Sequence, residues 1–308
     1  MELTTLRSRL EGVIAFPVTP FAGDLSVDLA ALGANVRALL AVSEGPGEPV
    51  APPCAIVAAG GTGELYSLTP DEHLRVVRAV VDAAGGVPVI AGVGFNAALA
   101  APMADAAERA GAAGILAFPP YYQNADDEGV LEYYRAIGSA TPLGLLIYSR
   151  DWFHPHAALV ERLASIPTLI AWKDGQGDVR RLQAIMSAVG DRLRWIGGAG
   201  DDLVPAYYAA GIRAFTSSVW NVAPRLSQAL HDRASRGDIM ALATPMADAI
   251  VPLYALRARR RGYEVSVMKA LMTRLGLAGG RVRPPLTDVH PSAEGALKAL
   301  AAAFSRYR

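Results

Sequence analysis

"LGLLIYSRDWFHPHAALVERLASIPTLIAWK", residues 143–173, holds two short apolar runs with a helical pattern between them. "LGLLIYS" (143–149) and "TLIAWK" (168–173) have the length and unbroken apolar character of strands buried on both faces. The stretch between them predicts a helix over 155–165. Strand, helix and strand in this order make a crossover unit, so the two strands run parallel. The same unit recurs on either side. "GVIAFPVT" (12–19), "CAIVAAG" (54–60), "VPVIAGV" (87–93), "GILAFPP" (114–120), "LRWIGG" (193–198) and "IRAFTSS" (212–218) read as further strands. Helical patterns follow them over 27–42, 99–110, 126–139, 178–189, 201–210 and 223–236. A further helix begins at Thr69, where Thr69, Pro70 and Glu72 form a capping box with proline at the first helical position. The Pro/Gly-rich stretch 43–53 reads as a loop. Eight such units are the number that closes a barrel. From about residue 239 the pattern is helical only, over 240–257, 263–275 and 292–306. The expected architecture is therefore an α/β fold, a (β/α)8 TIM barrel over 1–238 with a C-terminal α-helical segment, 239–308, packed on it.

Composition narrows the function classes. Basic and acidic residues number 29 each, so the formal net charge is zero. There is no electrostatic footprint for nucleic acid or an anionic membrane. No uncharged apolar run reaches membrane-spanning length, and the first residues, "MELTTLRSRLEG", lack the apolar centre of a signal peptide. These features predict a soluble cytoplasmic protein. The single cysteine, Cys54, excludes an internal disulfide and reads as a small core residue.

An open doubly wound sheet is the rival architecture, and one segment favours it. "GVGFNA" (92–97) fits G-x-G-x-x-A between a strand and a helix. That fingerprint also wants an acidic residue at the end of the next strand. The next strand ends "LAFPPYYQ", so a nicotinamide cofactor is not expected.

In a barrel, the loops at the C-terminal ends of the strands share one face, where chemistry collects. The strand ends bring "GGTGEL", "PPYY", "YSRDW", Lys173, "GGAGDD" and "TSSVWN" to that face. Lysine is rare in this chain: Lys173, Lys269 and Lys298 are the only three, and arginine carries the remaining basic charge. Arginine stays charged near neutral pH, whereas a buried lysine can lose its proton and attack a carbonyl. An exposed lysine is free amine in fewer than about one part in 10³ at pH 7. Lys173 is thus either a nucleophile tuned by burial or the partner of neighbouring Asp174. Tyr148 is either a proton shuttle beside it or a packed aromatic. The "GGTGE" turn, with Gly61 and Thr62, is either a nest of backbone N–H groups for a carboxylate or a plain strand-to-helix turn. Arg150, Ser217 and Ser218 are either contacts to a second anion or a rim ion pair and a helix cap. His73 falls inside a helix and His154 and His156 flank Pro155. With no H-x-x-x-H pattern and no carboxylate cluster, no metal site is expected.

Taken together, the "GTGE" turn, the "PPYY" segment, the strand-five tyrosine and the strand-six lysine resemble the dihydrodipicolinate synthase / N-acetylneuraminate lyase superfamily. The resemblance covers about 12–290. It implies Schiff-base lyase or aldolase chemistry on a TIM barrel with no cofactor beyond the lysine. Lys173 would form the imine, Tyr148 would act as acid and base, and Gly61–Thr62 would hold the α-keto carboxylate. It also implies a homotetramer or homodimer. A narrower resemblance, to the 5-dehydro-4-deoxyglucarate dehydratases, is carried by "GGTGELYSLTPDEH", "FPPYYQNADDEG", "WKDGQGDVRR", "SSVWNVAP", "RRRGYEVSVMKALM" and "VRPPLTD". It implies an α-keto sugar diacid as substrate, losing water and carbon dioxide. Dihydrodipicolinate synthases usually have "GTTGE"; Gly61 stands at the first of those threonines and supplies no hydroxyl. Ser149 stands where the superfamily often has asparagine. A synthase or a keto-deoxy sugar-acid aldolase is the alternative within the class, and a silent sugar-acid-binding barrel the alternative outside it.

Overall fold

The computed structural model describes residues 1–42, 50–121 and 124–307. Eight parallel strands form a closed barrel: β1 (Gly12–Ala15), β2 (Ala55–Ala58), β3 (Val89–Phe95), β4 (Gly114–Pro120), β5 (Gly144–Ser149), β6 (Leu169–Asp174), β7 (Arg194–Gly197) and β8 (Ala214–Ser217). Each pairs with its sequence neighbours, and β8 returns to β1 with Ala214 opposite Gly12 and Ser217 opposite Ala15. Closure removes both sheet edges and excludes the open-sheet alternative. Residues 43–49, most of the loop expected over 43–53, lie outside the described residues.

Helices follow the strands in order. An N-terminal helix α1 (Leu3–Arg9) precedes the barrel. Around it run α2 (Leu29–Ala41), α3 (Pro70–Ala83), α4 (Ala97–Arg109), α5 (Asp127–Ser139), α6 (Ala157–Leu163), α7 (Val179–Val189), α8 (Val204–Ala209) and α9 (Pro224–Ser235). Local chemistry starts most of them. Asp28, Asn96, Asp126 and Asp178 each accept a backbone N–H from the first turn of the helix they precede. The capping box at Thr69 and Glu72 forms as expected, with Pro70 opening α3.

The core has two layers. Side chains pointing inward, among them Ile14, Val57, Ile90, Leu116, Leu146, Ile170 and Ile196, fill the barrel. Those pointing outward pack against the helices in a larger shell. Helix α1 belongs to the inner layer: Leu6 and Leu10 are buried with the barrel residues and floor its N-terminal end. Gly114 and Gly144 make room for it, since a Cβ on either would meet Leu6 Cδ2 at 2.8 or 3.1 Å. The sequence pattern missed this helix because seven residues are too few to display an apolar period.

Two further segments differ from expectation. Strand β3 runs to Phe95 with an irregularity between Val93 and Phe95, so Gly92 and Gly94 of "GVGFNA" lie within a strand and not in a phosphate-binding turn. Gly92 is needed for close packing: a Cβ there would stand 2.1 Å from the Ala59 carbonyl oxygen. The helix expected over 240–257 is broken up. A short α10 (Ala243–Pro245) passes through a π-helical turn, Met246–Ile250, into α11 (Val251–Arg257). Pro252 has no N–H for the carbonyl four residues back, and the widened turn accommodates it. Helices α12 (Tyr263–Arg274) and α13 (Glu294–Ser305) complete the chain.

The C-terminal segment is tied to the barrel by buried charge. Glu64, in the turn after β2, is fully buried and pairs with the Lys269 ammonium of α12. Arg283 forks onto Glu72 of α3 with two hydrogen bonds of 2.7 Å. Lys269 is thus held inside a structural contact.

Candidate active site

A cavity of about 440 Å³ opens at the C-terminal ends of the strands, and Lys173, Tyr148, Gly61, Thr62, Arg150 and Ser218 all contribute to its wall. Lys173 and Tyr148 are register partners on β6 and β5. The Lys173 side chain is 3% exposed. Its Nζ donates to the Gly198 carbonyl at 3.0 Å and stands 3.2 Å from the centre of the Tyr148 ring. Burial holds the ammonium well below the ordinary lysine range, the Arg150 charge lowers it further, and Asp174 opposes both. Asp174 does not pair with the amine. Consecutive strand residues point to opposite faces, and the Asp174 carboxylate is taken by the Gln176 and Gly177 N–H groups and the Tyr207 hydroxyl at 2.7 Å. The ion-pair alternative for Lys173 is therefore not what the fold builds.

Glycines make this crowding possible. A Cβ on Gly198 would stand 2.6 Å from Lys173 Nζ, and one on Gly175 would stand 2.4 Å from Tyr148 Cε2. The Tyr148 ring meets Phe118 edge-on at 5.3 Å, with the Arg150 guanidinium 5.4 Å from its centre on the cavity side. Burial raises the phenol above its ordinary range, so it rests protonated.

The turn after β2 is held from behind. Thr19 Oγ1 donates to the Gly63 carbonyl at 2.7 Å, and the Glu64 and Leu65 N–H groups close back onto Gly61 and Gly60. The Gly61 and Thr62 N–H groups have no protein acceptor among the described residues. Ala59 and Glu64, on either side, both adopt positive φ (50° and 55°), a conformation costly for residues with a Cβ. Arg150 is bonded to Asp151 through Nε (2.9 Å) and Nη2 (3.3 Å). Its Nη1 stands 3.5 Å from where a Gly61 Cβ would be. The space beside Gly61 thus borders on the Arg150 guanidinium.

The two serines expected to act together are separated by strand alternation. Ser217 is fully buried behind the wall, bonded to Asp201, to Ser227 Oγ at 2.8 Å and to the Trp220 N–H. Thr216 faces the cavity in its place, and Ser218 follows on the rim. Ser149 likewise turns from the cavity and donates to the Lys173 carbonyl at 3.3 Å. Sequence reasoning missed Tyr254 and Arg257 of α11, which reach the cavity from outside the barrel. Arg257 is one of four arginines within 257–261; only the helical phase that buries Leu253, Leu256 and Arg257 together distinguishes it. Among the described residues no group of three or more His, Cys, Asp or Glu is placed to hold a metal ion. Among the described residues no helix is long and apolar enough to cross a membrane.

A closed (β/α)8 barrel with a buried primary amine and a phenol at its mouth defines a class of barrels built to engage carbonyl compounds. The chain belongs to the dihydrodipicolinate synthetase family, whose model matches residues 9–304. Its relatives include a probable 5-dehydro-4-deoxyglucarate dehydratase from Rhizobium rhizogenes, 38% identical over 289 residues, which are 93% of each chain. Another of the same name, from Methylobacterium radiotolerans, is 39% identical and covers 94% of this chain and 93% of its own. Among solved structures, dihydrodipicolinate synthase from Oceanobacillus iheyensis superposes with a TM-score of 0.89 at 29% identity, covering 99% of this chain and 100% of that one. Ruminococcus gnavus sialic acid aldolase superposes at 0.86 with 19% identity, over 97% and 100%, and shares the fold.

Proposed function

We propose that this chain is a Schiff-base lyase that dehydrates and decarboxylates 5-dehydro-4-deoxy-D-glucarate to 2,5-dioxopentanoate. The reading is supported by the relatives that carry that name. The observation that carries the chemistry is the Lys173 amine, buried, facing the cavity and unpaired with any carboxylate among the described residues. In this reading the barrel (1–238) supplies the chemistry and the helical segment (239–308) covers its mouth. The imine replaces any external cofactor. The protein works as a cytoplasmic homo-oligomer, a tetramer or dimer.

The reaction follows from those groups. The Lys173 amine adds to the α-keto carbon while the adjacent carboxylate rests on the Gly61 and Thr62 N–H groups. Tyr148, resting protonated, gives its proton to the carbinolamine hydroxyl, which leaves as water. The resulting phenolate takes a proton from the CH₂ beside the iminium, and an enamine forms. The enamine expels the β-hydroxyl, which departs as water with the proton on Tyr148. The iminium is now conjugated with the new double bond. The distal carboxylate leaves as CO₂, and its bonding electrons flow through the conjugated carbons to the nitrogen. Solvent supplies a proton to carbon, the enol left by decarboxylation tautomerises to the aldehyde, and hydrolysis of the iminium frees the product, returns Lys173 to its amine and gives the released proton back to the Tyr148 phenolate. The net reaction releases one water and one CO₂ and consumes one proton.

Borohydride added during turnover is expected to leave a substrate-derived mass on Lys173, read by peptide mass spectrometry. Lys173→Arg keeps the positive charge and is expected to lose CO₂ release and labelling entirely. A label on Lys269 or Lys298, or full activity in Lys173→Arg, refutes the assignment.

A further inference from the structure

The second cation of the cavity, Arg257, has no role in the scheme above. It comes from α11, outside the barrel, and is 6% exposed. Its Nη2 donates to Ser218 Oγ at 2.9 Å, while its Nε is buried without a partner. Asp201 and Asp202 both feel the Arg257 charge, and Asp201 is already bonded by Ser217 and by the Tyr254 hydroxyl. No carboxylate lies within ion-pair distance of Arg257 among the described residues. A guanidinium buried at the wall of a cavity with no carboxylate in ion-pair distance is a costly arrangement unless an anion completes it. Arg150 is in the opposite condition. Its Nε and Nη2 are bonded to the Asp151 carboxylate, and its Nη1 lies beside Gly61, at the end of the cavity assigned to the α-keto carboxylate.

We infer that Arg257, with the Ser218 hydroxyl, receives the second carboxylate of the substrate, so that the C-terminal helical segment makes the barrel selective for diacids. This rests on the reading of Lys173 as the imine-forming group. The carboxylate takes N–H groups of Nη1 and Nη2, the two outer nitrogens of the guanidinium fork. It reorients Ser218 Oγ, which carries its own proton, as a third donor. The arrangement explains why a residue of the appendage lies buried in the site: selectivity is added from α11 while the imine machinery stays on β5 and β6. Glu264, exposed on the same wall, disfavours an anion that stops short of the fork.

The test compares two six-carbon α-keto acids that lack the leaving hydroxyl, 2-oxoadipate and 2-oxohexanoate, in the full chain. Saturation of borohydride labelling at Lys173 gives an apparent Kd for each. The wild type is expected to favour 2-oxoadipate by about 10- to 100-fold, the range of hydrogen bonds to a charged group. Arg257→Gln is expected to bring the ratio near one, and Arg257→Lys to restore part of it without the fork. A diacid preference that survives Arg257→Gln overturns the inference, as does a wild type with no preference. Loss of labelling by both acids in both variants makes Arg257 a support of the fold and overturns it as well. The dehydratase reading is tested separately, by CO₂ release from the sugar diacid in the wild type. A diacid preference without CO₂ release rejects that reading and leaves the Arg257 site standing.

Discussion

In the proposed reaction, the reactivity of Lys173 depends on four neighbours that sequence spacing does not bring together. Burial against Tyr148 and Phe16 removes water from the amine, the Gly198 carbonyl orients it, and the Arg150 charge disfavours its protonation. The neutral form attacks carbonyls, so the rate of imine formation rises with pH through the lowered lysine pKa and then levels. Arg150→Gln removes a positive charge beside the amine. The lysine pKa then rises, and the ascending limb of the rate profile moves to higher pH. Cyanoborohydride trapping of 2-oxoadipate at Lys173, followed from acid to alkaline pH, measures this. A limb that stays in place would show that Arg150 does not tune the amine. Half of this site is legible in the sequence. Rarity and position single out Lys173 and Tyr148, and Gly61 and Thr62 reach the cavity as expected. Ser217 does not, because strand alternation turns every second side chain of β8 outward.

Among the elements, the helix start at Thr69 joins local and distant structure. The capping box satisfies two first-turn N–H groups of α3, and the same Glu72 carboxylate receives both arms of Arg283. The Arg283 hydrogen bonds hold Glu72 at about 2, below its ordinary value of 4.5. A carboxyl depressed in the folded state stabilises the fold fully above its unfolded pKa, and that contribution fades as pH falls toward the folded value. Glu72→Gln is therefore expected to lower stability by about 1–3 kcal/mol at pH 7. The gap to wild type should close as pH falls from 4.5 toward about 2. Urea unfolding at several pH values tests this, and a gap independent of pH contradicts it. The capping box was readable from Thr69, Pro70 and Glu72, because caps act within four residues. Arg283, more than two hundred positions away, carries no local sign of its partner.

At the scale of the molecule, the barrel is flanked at both ends by segments outside the eight repeats. Leu6 and Leu10 of α1 floor it, while α11 brings Tyr254 and Arg257 to the cavity wall and α12 pairs Lys269 with Glu64. Leu6 is fully buried in the inner core between strands that keep glycine at positions 114 and 144 to admit it. Leu6→Ala leaves a void that rigid strands cannot collapse onto, and is expected to cost about 2–5 kcal/mol. Chemical denaturation reads the loss directly. A cost below about 1 kcal/mol would mean that α1 only rests against the barrel and adds little to its stability.

What the sequence determined by itself is what repeats or acts locally: eight strand–helix units, the helix caps and a single lysine at a strand end. Apolar period, capping and strand parity are all set within about one turn or one strand, so a single chain reading carries them. Tertiary structure alone decided which groups share the cavity. Barrel closure set which face of β6 and β8 looks into the cavity, so that Lys173 and Thr216 enter it while Asp174 and Ser217 bond behind it, and Arg257 is delivered from a helix that the repeat does not contain. Those outcomes depend on barrel closure and on the path of the final helices across the mouth. They are contacts between residues far apart in the chain, and no spacing within it encodes them.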